Sequence, residues 1–141
     1  MFKLNDIDFE IDENESDILV TLDDNACFYE LYIEIAAKEK EYNGNMCSPI
    51  IRTNQIETKL KNTQELIGFK FTVSTMEEAY EREDMFYLYE HEPFEYQLEI
   101  MEIKDDKAHV LIKGTVVEDG HAEPYTTAPL EVDCWLKLKY E

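Results

Sequence analysis

The clearest pattern lies in the last part of the chain. Leu130, Val132, Cys134, Leu136, Leu138 and Tyr140 are apolar at every second position. Glu131, Asp133, Lys137 and Lys139 fill the places between, with Trp135 the one large apolar exception. A period of two marks a half-buried strand, because successive side chains leave a strand on opposite faces. On a helix the same residues would scatter around the whole circumference. Ala108, Val110, Ile112, Gly114 and Val116 alternate in the same way with His109, Leu111, Lys113, Thr115 and Val117, and Phe94, Tyr96, Leu98 and Ile100 alternate with Glu95, Gln97 and Glu99. These runs predict a core of Phe94, Tyr96, Leu98, Ile100, Val110, Ile112, Val116, Val132, Cys134, Leu136 and Leu138. Lys104-Asp105-Asp106-Lys107 reads as a tight turn, since Asp tolerates turn conformations and bonds its own backbone, so the two runs it joins form an antiparallel hairpin. Glu118-Asp119-Gly120-His121 opens a looser connection, and Pro124 and Pro129 argue against a central strand there.

Upstream, Phe69, Phe71 and Val73 alternate with Lys70, Thr72 and Ser74, and Phe86 and Leu88 with Tyr87 and Tyr89. Ile7, Phe9 and Ile11 alternate with Asp8, Glu10 and Asp12, and Ile18, Val20 and Leu22 follow. Residues 28–41 fit either a strand or a helical stripe. Aromatic and β-branched residues favour a strand through Ile35, while the run 36–41 suits helix. Ile50, Ile51 and Ile56 suggest one or two short strands. Asn62-Thr63-Gln64-Glu65, closed by Gly68, predicts one helical turn. Thr75-Met76-Glu77-Glu78 fits a capping box, with Ala79 and Tyr80 at core spacing. The expected fold is all-β or β-rich α+β. It is a single domain over 1–141, an antiparallel sandwich or barrel of about eight short strands with one or two helical turns.

Composition changes this picture in one respect. There are 33 acids and 13 bases, a net charge of −20. Residues 1–36 hold 11 acids and one base, and residues 76–103 hold 10 acids and one base, so two segments carry nearly all the charge. Such a body repels phosphate, so nucleic acid is not expected as a partner. No basic-plus-apolar leader and no long apolar run is present, so neither export nor a membrane is expected. Cys27, Cys47 and Cys134 are odd in number and lack a C-x-x-C spacing, which reads as reduced, buried thiols of a cytoplasmic chain.

Catalytic machinery is not legible, and no enzyme is expected. No nucleophile motif or Gly-rich phosphate loop occurs, and His91, His109 and His121 lie in separate segments. Paired carboxylates are too abundant to be informative. Neither metal nor cofactor is expected. On a strand Glu90 and Glu92 point away from His91, Asp119 with His121 cannot close a zinc site, and the acids between Asp6 and Asp17 lack a Gly bend for calcium. The acidic-aromatic faces are different. Glu30, Tyr32 and Glu34 oppose the core register. So do Tyr87 and Tyr89, flanked by Glu77, Glu78, Glu81, Glu83, Asp84, Glu90 and Glu92. Tyr supplies rigid contact area with a polar tip, and acids around it steer a basic partner.

In size, reduced cysteines, negative charge and Tyr-plus-acid faces, the chain resembles the small acidic immunity proteins of bacterial polymorphic and contact-dependent toxin systems. The run from His91-Glu92-Pro93 through Lys113-Gly114-Thr115 is similar to uncharacterised bacterial all-β domains of that setting. The resemblance implies a cytoplasmic antitoxin that binds a toxin domain, often a nuclease with a basic substrate surface. The rival expectation is a β-barrel carrier that holds a small apolar molecule in its mouth.

Overall fold

The computed structural model describes residues 1–23, 25, 27–122 and 124–141. Its strands are β1 (Phe2–Leu4), β2 (Ile7–Phe9), β3 (Asp17–Leu22), β4 (Tyr29–Ala36), β5 (Lys40–Tyr42), β6 (Asn45–Cys47), β7 (Ile50–Arg52), β8 (Ile56–Glu57), β9 (Lys70–Val73), β10 (Met85–Tyr87), β11 (His91–Glu92), β12 (Phe94–Lys104), β13 (Lys107–Asp119) and β14 (Thr126–Tyr140). Among the described residues there are also one helix, α1 (Met76–Arg82), and two 3-10 turns, Glu13–Glu15 and Thr63–Leu66. The protein is β-rich, as its alternation predicts.

Strands β12, β13 and β14 form an antiparallel meander in which Leu98 faces Ile112 and Ile112 faces Val132. All eleven predicted core residues are buried. The turn between β12 and β13 has left-handed backbone at Asp105 (φ 53) and Asp106 (φ 60), a conformation that Asp tolerates better than most residues. β4 runs from Tyr29 through Ala36, so the strand alternative holds from Tyr29. β7 and β8 fall at Ile50–Ile51 and Ile56.

Three expectations fail. The main sheet has 12 strands, several of them long, and β3 runs parallel to β14. Pro129 lies inside the central strand β14, opposite Thr115. Its carbonyl accepts from the Asn5 amide at 2.9 Å, so its donor-less nitrogen faces the β1–β2 turn, where no ladder bond is needed. Cys27 is exposed at a turn with φ 59, whereas Cys47 and Cys134 are buried. Burial pushes the Cys134 thiol up to about 12, which keeps it protonated.

The sheet order is β11-β10-β7-β4-β3-β14-β13-β12-β9, with β1 paired to β14 and β2, and β8 to β4. β10 and β12 are six strands apart, about 29 Å if the sheet were flat. Yet Asp84, beside β10, accepts a 2.9 Å bond from the Tyr96 hydroxyl of β12. The sheet therefore curls around its own apolar face, and one buried cluster runs from Phe2 to Leu138. Among the described residues no backbone ladder joins the two ends, so the sheet is not closed. Side chains bridge the seam instead. Arg82 binds Asp84 at 2.8 Å and lies 4.7 Å from the Phe71 ring. Farther along, the Tyr42 hydroxyl donates to Glu118 at 2.5 Å, and His121 bonds Glu90 at 2.7 Å.

Candidate partner-binding surface

Cross-strand register decides which of the predicted site residues share a face. Glu34 of β4 faces Arg52 of β7, and Arg52 faces Met85 of β10. One step along, Ala36 faces Ile50, Ile50 faces Tyr87, and Tyr87 faces His91. Directly paired residues project to the same side of a sheet. Tyr87 and Glu34 thus lie on one outer face, with Tyr32 and Glu30 two and four residues back along β4. The two acidic-aromatic groups, about fifty residues apart in sequence, form one surface. Leu19 extends it opposite Tyr32. Arg52 binds Glu34 at 2.6 Å and, with Ile50, Met85, Tyr87 and His91, lines a shallow pocket of ≈ 240 Å³. The Tyr87 and His91 rings are 4.9 Å apart, which fixes one wall of it.

Glu30 sits opposite Glu57 of β8. Slight desolvation, then the Asp23 and Glu57 carboxylates, raise its pKa above the ordinary value. Like charges facing each other cost stability, so this corner gains from a cation.

Helix α1 precedes β10 and packs against β12 and β9 across the seam. Its cap follows the predicted box at Thr75, with the reciprocal bond shifted by one residue. The Thr75 hydroxyl accepts from the Glu78 amide at 3.0 Å, and the Glu78 carboxylate accepts from the Ser74 amide at 3.1 Å. Glu78 is thereby occupied at the cap, while Glu77 and Glu81 stand exposed one turn apart. Ala79 is buried, but Tyr80, read from sequence as core, is 75% exposed. One residue of helix is a 100° rotation, so on a seven-residue helix only one of the two reaches the core. Tyr80 therefore joins Glu77 and Glu81 on the open side, an exposed aromatic that the sequence places in the core instead. Glu83 ends the helix in the left-handed region at φ 68, exposed and two residues before Met85.

Asp84 is not a surface acid. It is 1% exposed and accepts from Arg82, from the Tyr96 hydroxyl and from the Asn54 amide at 2.8 Å. Burial works against the Arg82 charge, but Asp84 and Tyr96 more than offset it and hold the guanidinium above its ordinary value. Burial and the Asp84 charge likewise raise the Tyr96 phenol, which stays a donor. This aspartate is a structural anchor of the seam.

Tyr89, Glu90 and Glu92 turn toward the end of β13. Tyr89 is 43% exposed, and partial burial, then the Cys47 thiol, raises its pKa. Glu90 holds His121. Glu92 faces Phe86 on the inner register and approaches Gly120 so closely that a Cβ there would fall 2.3 Å from its Oε1. These three form a rim distinct from the Tyr87 face.

Among the described residues no group of three or more His, Cys, Asp or Glu side chains could hold a metal, and no helix is long and apolar enough to cross a membrane. No family model matches the chain, nor does any curated protein or solved structure.

Proposed function

We propose that this chain is a cytoplasmic, non-enzymatic binding protein that neutralises a basic protein partner, and that the partner is a toxin domain of the nuclease type. The observation that carries the reading is the outer face on which Tyr32 and Tyr87 stand with Glu30 and Glu34, on a chain of net charge −20. A surface built to hold phosphate is positive. Carboxylates competing for it speed encounter, and aromatic anchors supply the lasting contact. Glu77, Glu81 and Glu83, with the exposed Tyr80, supply the steering rim. Tyr87 and Tyr32 are the anchors, and the pocket beside Arg52 takes one partner side chain. Tyr89, Glu90 and Glu92 form a second rim, used by a partner that reaches across the seam.

The test is a titration against the product of the neighbouring open reading frame, purified in a catalytically inactivated form. Formation of a tight complex that also abolishes the active partner's nuclease activity supports the reading. A neutral or acidic neighbour, or no complex at low salt, overturns it.

A further inference from the structure

The second edge of β14 is shared between two strands. β1 pairs with Leu130–Val132 and β3 with Lys137–Tyr140. Between them the Asp133 amide donates to the Met1 carbonyl at 2.9 Å, and residues 134–136 have no strand partner on this edge. Backbone groups alternate in direction along a strand, so the N–H and C=O of Trp135 face the opening as those of Asp133 do. The opening is a groove of ≈ 800 Å³ whose apolar lining includes Phe9, Ile11, Cys134 and Trp135. That volume is within the range of small-molecule sites, about 300–1,000 Å³.

Trp135 is the only tryptophan of the chain and is 43% exposed. One side of its ring is covered by His109, stacked at 5.1 Å and 19°, and the His109 Nε2 lies 2.5 Å from Asp133 Oδ1. The indole is thus held in place with area left open to the groove. The next pair on the same face is Lys107 opposite Lys137. Like charges directly opposite destabilise a sheet, and neither lysine has an ion-pair partner among the described residues. Of the acids that line the groove, Glu10 holds Lys38 at 3.3 Å, Asp12 accepts from the Asn14 amide, and Glu13 stands on the 3-10 turn. Asp17 nearby holds Lys139 at 2.9 Å. Next to the ring along β13 and β14, the charges without an ion-pair partner among the described residues are Lys107 and Lys137.

We propose that this groove binds a small planar aromatic molecule carrying one anionic group, its ring against Trp135 and its anion between Lys107 and Lys137. Stacking on the indole and burial against Phe9 and Ile11 hold the ring. The anion relieves the repulsion between the two lysines, so binding gains what the empty sheet lacks. The site is three strands from Arg52 and does not rest on the partner proposal.

Calorimetric titration with a naphthalene series tests it: 2-naphthoate, 2-naphthyl phosphate, neutral 2-naphthalenemethanol and cationic 2-naphthylmethylammonium. Both anions should bind one per chain, at least about tenfold more tightly than the neutral and cationic rings. The tighter of the two anions names the head group. Lys107→Gln with Lys137→Gln should erase the preference for anions, and Trp135→Ala should weaken every member of the series. These side chains are exposed, and an unchanged far-UV spectrum verifies the fold. Equal binding of the neutral or cationic ring, no binding of either anion, or affinities unmoved by these substitutions in folded protein would overturn the assignment.

Discussion

The meander β12–β14 and the half of the chain before it stay folded by different means. The meander has strands of 11, 13 and 15 residues, a tight Asp-Asp turn and long backbone ladders, each with a single register shift, at Met101 and at Glu118. Several strands of the first half have only two or three residues. Among the described residues the buried polar ones, Ser16, Thr53, Thr58 and Asp84, all belong to that half. Three of them replace a missing ladder bond, and Thr58 adds a second donor to a carbonyl that already accepts from its own amide. Ser16 accepts from the Ala36 amide at 2.9 Å, Thr53 from the Ile33 amide at 3.0 Å, and Asp84 from the Asn54 amide at 2.8 Å, while Thr58 donates to the Tyr29 carbonyl at 2.7 Å. Long strands need only apolar residues inside. Short strands need side chains that act as backbone.

The comparison breaks most visibly at one core position in each half. Val132→Asp places an unpaired carboxylate in the meander, at a residue 0% exposed, and should cost about 4 kcal/mol or more. An unchanged urea midpoint would contradict the register. Asp84→Ala strands Arg82, the Tyr96 hydroxyl and the Asn54 amide together, and should cost about 3 kcal/mol or more. Asp84→Asn, which keeps an acceptor, should cost clearly less. If alanine is harmless, side chains do not hold the seam. Thr53→Val keeps the shape and removes one acceptor from the Ile33 amide, for about 1–2 kcal/mol by the same denaturation. A Thr→Val change at exposed Thr72 should be nearly silent.

These contrasts explain what was legible. Alternation over seven to eleven residues made β12–β14 and their core readable. The period does not encode pairing partners, so the parallel β3–β14 contact left no signal. β1 is three residues long, too short to show a period. Asp84 sits among surface acids in sequence. Its burial depends on Arg82, two residues before, and on Tyr96, twelve residues after, which meet it only when the sheet curls. The joining of Glu34 to Tyr87 through Arg52 and Ile50 likewise needs β7, whose three residues carry no pattern of their own.

Alkali should sharpen the contrast more gently. Burial, then the Glu118 bond, pushes the Tyr42 phenol up to about 12 from its ordinary 10.0, and burial pushes Cys134 to about 12 from 9.0. Both groups bind their protons more tightly in the folded state. Their contribution to stability is full below the unfolded values and is lost as pH rises through them toward about 12. Melting temperature should therefore fall between pH 9 and 12, and Tyr42→Phe should flatten part of the fall. The exposed His121–Glu90 pair acts at the other end with the smallest effect. Its raised histidine pKa contributes below the ordinary 6.5 and fades as pH rises past the folded value, and His121→Gln should remove that slope.

The most direct test of the proposed function is the kinetics of association with the basic partner across salt. The rate should fall steeply from about 0.05 M salt to about 0.5 M, where the screening length is roughly 4 Å. Reversing Glu77, Glu81 and Glu83 should slow association and flatten that dependence, whereas Tyr87→Ala should act on dissociation and cost about 2 kcal/mol. Tight binding that ignores salt, these acids and Tyr87 would contradict the account and leave the charge without a role in recognition.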